Sequence, residues 1–132
     1  MSDLLLDTCA ILWLAKGVKL SDEARAAIVD REVYVSPISA WEVANLARKN
    51  RIAITMPVVT WFRQALQQME AATPELTIDI LADSCFLPGT PPNDPMDRII
   101  IATARHGGFA VVTRDKAILD YSREGHVQTL SF

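Results

Sequence analysis

The chain has 132 residues, half of them hydrophobic and 22% charged, with a formal charge of −3. That length suits one domain with a real core over residues 1–132, and the charge leaves out the broad basic footprint of a typical nucleic-acid binder. Any contact with RNA must therefore come from local patches. Cys9 and Cys85 lie inside apolar segments and offer neither a disulfide framework nor a metal-binding pair. No signal peptide is evident, and the charge-free apolar stretch Thr8–Ala15 is too short to span a bilayer. A cytoplasmic protein with no membrane contact is expected.

Leu4-Leu5-Leu6 has the pattern of a buried strand, followed by Asp7-Thr8 and a helical pattern from Ala10 to Ala15. Ser21-Asp22-Glu23 opens a second helix through about Asp30. Val33–Ser36 is a second strand, and Ser36-Pro37 caps a helix running to about Arg48. Met56-Pro57 begins an amphipathic helix through about Ala71. "LTIDIL" is expected to be a short extended piece, and "ILADSCFLP" a short helix. "PGTPPNDP" must be a loop. Asp94 then caps a helix with Pro95 at its first position, ending near His106-Gly107-Gly108. Phe109–Thr113 is a third strand and "HVQTLSF" a fourth. Strands separated by helices predict an α/β domain with a mainly parallel sheet. Sites in such sheets lie beyond the carboxyl ends of the strands, where this topology can gather Asp7, Glu42, Asp97 and Asp115.

Each carboxylate has a structural reading beside a functional one. Asp7 is the only charge between Leu4 and Ala15. An isolated buried carboxylate costs several kcal/mol unless compensated, yet Asp7 could equally cap the following helix with help from Thr8. Glu42 is the only charge between Pro37 and Ala47, so it either looks inward or pairs along its helix with Asn45 or Lys49. Asp115 in "TRDK" reads by itself as part of a solvated turn. Asp97 could be a first-turn carboxylate at the positive end of its helix. As a set, four carboxylates facing one cleft repel one another. Mg2+ or Mn2+ resolves that conflict, because these hard ions prefer carboxylate and water oxygens, and such sites commonly perform phosphoryl chemistry.

"LLLDTCAILWLA", "SPISAWEVANLARKNRI", "NDPMDRIIIATA" and "AVVTRD" resemble, in order and spacing, the four motif blocks of PIN domains. The similarity is greatest to VapC-type toxins of bacterial VapBC toxin–antitoxin systems. It covers essentially the whole chain. The resemblance implies a PIN-like α/β/α sandwich with four or five mainly parallel strands. It also implies a Mg2+- or Mn2+-dependent endoribonuclease that cleaves structured RNA and is held inactive by a VapB-type antitoxin. A homodimer is expected.

Carried over motif by motif, the catalytic and metal set is Asp7, Glu42, Asp97 and Asp115, with Asp94 as the cap and Thr8 and Thr113 as supporting hydroxyls. Related toxins often have histidine where this chain has Pro92 and phenylalanine where it has Met96, so the loop before Asp94 is expected to differ in shape. Arg48, Lys49 and Arg51 are candidates for RNA contact, with Lys16 and Lys19 behind them. "RKNR" also suits a helix C-terminus on electrostatic grounds alone. Trp13, Trp41 and Trp61 read as core or interface residues before base-stacking platforms.

Two other readings stand beside this one. "LLLDTC" superficially resembles the nucleophile loop of haloacid-dehalogenase-type phosphatases, but Cys9 occupies the position of their second aspartate. A catalytically inactive PIN-like interaction module is the other, although all four acidic positions are filled. No glycine-rich turn follows the first strand, which argues against dinucleotide binding.

Overall fold

The computed structural model describes residues 2–132; Met1, the first residue of the expected domain, lies outside them. Four strands form the sheet: β1 (Leu4–Leu6), β2 (Val33–Val35), β3 (Ala110–Thr113) and β4 (Gln128–Ser131). Their order is β2-β1-β3-β4 and every pairing is parallel. A single parallel bridge from Tyr34 to Ala72 extends the edge beyond β2 without adding a full strand.

Alternation along the strands builds the layers. Leu4, Leu6, Val35 and Val112 face one side, where Ile11, Val43 and Phe62 close a core. Those three come from α1 (Thr8–Ala15), α3 (Ile38–Arg48) and α4 (Val58–Gln68). Leu5 and Val111 face the other side, against Ile100, Ile101, Ile118 and Tyr121. These belong to α6 (Pro95–Gly107) and α7 (Lys116–Ser122). Full burial of a leucine or isoleucine stabilises by about 1.5–3 kcal/mol, so the three-residue β1 is held by its side chains as much as by its ladder. α2 (Asp22–Ile28) and α5 (Ile78–Asp83) complete the fold.

Two expectations need correction. "LTIDIL" is not extended: Thr77 Oγ1 accepts from the Ile80 N–H at 3.1 Å and caps α5. Its β-branched residues suggest a strand, but a single cap bond decides the local structure. α7 has no counterpart in the expected elements. Asp115 caps it, accepting from the N–H groups of Ala117 and Ile118. Cys9 and Cys85 are both free, and both are exposed although their sequence neighbours are apolar. Among the described residues no helix is long and apolar enough to cross a membrane.

Candidate active site

Because the chain moves from β1 outward to β2 and later returns to β3 on the other side of β1, the strand order reverses between β1 and β3. That is where crevices open at the carboxyl edge of an α/β sheet. Asp7 and Thr113 stand at the ends of these two adjacent strands. Asp7 is buried, and both of its oxygens are engaged. Oδ1 accepts from the Ala10 N–H at 2.7 Å, capping α1, and Oδ2 accepts from Thr113 Oγ1 at 2.5 Å. Thr113 Oγ1 in turn accepts from the Asp115 N–H at 2.9 Å. One buried hydroxyl thus links two of the predicted acids.

A second hydroxyl orients the third. Thr8 Oγ1 donates to Glu42 Oε1 at 2.6 Å and lies 3.1 Å from Ser39 Oγ. A hydroxyl has one proton, so with Thr8 committed to Glu42, the buried Ser39 is the donor to Thr8. Glu42 therefore faces α1 across the interface between helices. The pairing with Asn45 is not made; Arg48 donates to Asn45 Oδ1 at 2.7 Å instead. Ser39 was not singled out from sequence, although its place one turn before Glu42 on α3 was a usable signal.

Asp94 is the cap of α6, as expected. Asp94 Oδ1 accepts from the N–H groups of Met96 and Asp97 at 2.8 and 3.0 Å, with Pro95 in the first turn. The helix ends at Gly108, whose φ of 70° is the left-handed conformation that glycine tolerates best. Asp97 makes no such cap. Burial, followed by the charges of Asp115, Asp94, Glu42 and Asp7, pushes its carboxyl up to about 7. Asp7 is raised by burial against the lowering effect of its bonds to Thr113 and Ala10, with Asp115 and Glu42 adding to the rise. Cys9, the second residue of α1, is pushed up to about 11, first by desolvation and then by Asp7, Glu42, Asp115 and Asp97. All four predicted acids therefore share one electrostatic field. Among the described residues they do not close into a group of three positioned to grip an ion directly.

Arg48, Lys49 and Arg51 are exposed at the far end of α3. At about 1.5 Å per residue, Arg48 lies roughly 9 Å along the helix axis from Glu42. Trp41 is the most exposed tryptophan, Trp13 is 39% exposed, and Trp61 packs partly buried against the core.

The fold and its acid-lined switch point define a class of α/β protein, and comparisons with known proteins agree. Residues 4–124 match the PIN domain family. The chain is 37% identical over 120 residues to Ribonuclease VapC22 of Mycobacterium tuberculosis, covering 89% of this chain and 91% of that protein. In structure it is similar to VapBC2 from Rickettsia felis, solved with a fragment of promoter DNA. There the TM-score is 0.64 and the identity 11%, with 97% of both chains covered. It is also similar to FitAcB from Neisseria gonorrhoeae, with a TM-score of 0.54, 21% identity and 96% of both chains covered. The chain belongs to the PIN-domain family, among its VapC-type members.

Proposed function

We propose that this chain is a divalent-metal-dependent endoribonuclease whose catalytic and metal-holding residues are Asp7, Glu42, Asp97 and Asp115, and that a VapB-type antitoxin neutralises it. The ribonuclease relative supports the activity. The observation that carries the site assignment is Asp97. Its carboxyl is driven to about 7 by burial and by acids from four different segments. A structural ion-pair network would bring cations to relieve that charge. Among the described residues no Lys, Arg or His pairs with these acids, and Asp7, Glu42 and Asp115 are met by hydroxyls and backbone N–H groups.

The donor set fits Mg2+ or Mn2+. It offers hard carboxylate oxygens and excess negative charge, which suit an ion that keeps several of its own waters. When bound, such an ion offsets the carboxylate repulsion, activates water and stabilises charge on the leaving oxygen of a phosphodiester. The chain's own part is orientation. Thr113 fixes Asp7, and Ser39 and Thr8 fix Glu42. Asp97 must lose its proton for the site to fill, so filling is favoured as pH rises through about 7.

The cleft repels phosphate, so the RNA backbone must be met by cations outside it. Arg48, Lys49 and Arg51 are our candidates for that role, and their exposure supports it. Exposed apolar side chains such as Trp41, Ile78 and Phe86 supply surface for the antitoxin or for a second copy in a homodimer. The phosphatase reading is less suited to this chain, because Cys9 stands where those enzymes carry their second aspartate.

Induced expression followed by mapping of RNA ends across the transcriptome tests the proposal. Growth arrest with cuts at defined positions in structured RNA is expected. Intact RNA in cells full of folded, partner-free protein would contradict it.

A further inference from the structure

We propose that Arg114 is a positioning residue, whose guanidinium, stacked against Trp13 and Phe132, holds the loop carrying Thr113 and Asp115 against the acid cleft. The inference rests on the reading of that cleft as the ribonuclease centre. Arg114 Cζ lies 4.0 Å from the centroid of the Trp13 ring and 4.6 Å from that of Phe132. The two rings meet edge to face at 6.3 Å. Arg114 Nε donates to the Phe132 carbonyl at 2.5 Å.

The neighbours of Arg114 explain why this matters. Thr113 donates to Asp7 and accepts from the Asp115 N–H, so the residues on both sides of Arg114 belong to the site's hydrogen-bond chain. Trp13 belongs to α1, the helix that Asp7 caps. Helix α1 and the loop after β3 are therefore tied twice, through Thr113 and Asp7 inside and through Arg114 and Trp13 outside. One tie permits pivoting; two separate ties fix an orientation. Among the described residues no Asp or Glu side chain pairs with Arg114, although Asp115 is next in sequence. Its charge is directed at the rings and a carbonyl, which leaves the cleft's negative field intact for a cation. Only a flat guanidinium can lie against aromatic faces while donating in its own plane, so lysine cannot substitute.

The test uses the full chain with Arg114→Lys, Arg114→Met and Trp13→Leu. RNA cleavage is measured with metal present, and amide hydrogen exchange is measured without it. We expect each variant to lower kcat by about tenfold or more with KM nearly unchanged, as loss of supporting contacts typically does. Exchange at the Asp115 and Ala117 amides should quicken while that of Val111 and Val112 stays as it was. A wild-type kcat for Arg114→Lys with a raised KM for Arg114→Met would overturn the inference, marking a phosphate contact instead. Unchanged exchange at Asp115 in all three variants would overturn it too. If the unaltered chain cuts no RNA, the ribonuclease reading fails, and the exchange measurement still decides whether the clamp exists.

Discussion

Asp94 and Asp97 stand three residues apart and share a helix start, but only Asp94 caps it. Asp94 spends its carboxylate on two N–H groups. Replacing it by alanine should cost about 1 kcal/mol of stability while leaving much of the activity. Asp97 resists ionisation, with its carboxyl raised to about 7 by burial first and then by the neighbouring acids. In the metal-free protein the folded state keeps a proton on Asp97 between about pH 4 and pH 7, where the unfolded state has lost it. Stability should therefore fall as pH rises across that window. Asp97→Asn removes the charge, so it should flatten this slope and be at least as stable as the parent at pH 8. It should also lower RNA cleavage by at least about a hundredfold. Thermal denaturation at pH 5 and pH 8 in chelator, paired with cleavage assays, measures both effects. An Asp94→Ala protein that is stable but as inactive as Asp97→Asn would reverse the assignment. Asp7 and Glu42 were legible in the sequence because each is a lone charge in an apolar run. Ser39 was legible only through its place one turn before Glu42, because a small polar residue in such a run does not by itself declare which face it takes.

At the scale of elements, the site is built from helix starts. Asp7, Asp94 and Asp115 are the N-caps of α1, α6 and α7, so acids placed for charge also decide where helices begin. This double role explains what the sequence concealed. "TRDK" read as a polar turn because α7 is short and buries only Ile118 and Tyr121, too few positions for a helical period to stand out. The longer α3 and α6 declared themselves through extended apolar faces, and α6 also through its Asp94 cap and terminal Gly108. Asparagine can accept the same capping bonds as aspartate, whereas alanine cannot. Asp115→Asn should thus abolish most cleavage with stability nearly unchanged, and Asp115→Ala should lose about 1 kcal/mol in addition. Urea denaturation of the two variants gives the comparison. Equal stability of both would show that the cap bonds to Ala117 and Ile118 contribute little.

At the scale of the molecule, the parallel order β2-β1-β3-β4 collects side chains distant in sequence at one edge of the sheet. Asp7 and Thr113 are 106 residues apart and share a hydrogen bond. A concentrated negative field on a chain of modest net charge has a regulatory consequence. An arginine or lysine from a protein partner can enter the cleft and compete with a cation for the same carboxylates. Inhibition by the antitoxin should therefore weaken as divalent metal rises and when its inserted basic residue becomes alanine. Full suppression in a complex whose cleft stays open and metal-loaded would contradict this. The central claim, that these four acids form the metal centre of a ribonuclease, is met most directly by one comparison. Partner-free protein is incubated with total RNA in chelator and again in millimolar Mg2+ or Mn2+, beside Asp97→Asn. The account predicts discrete fragments only with metal and only from the unaltered chain; equal cutting in chelator, or undiminished cutting by Asp97→Asn, would contradict it.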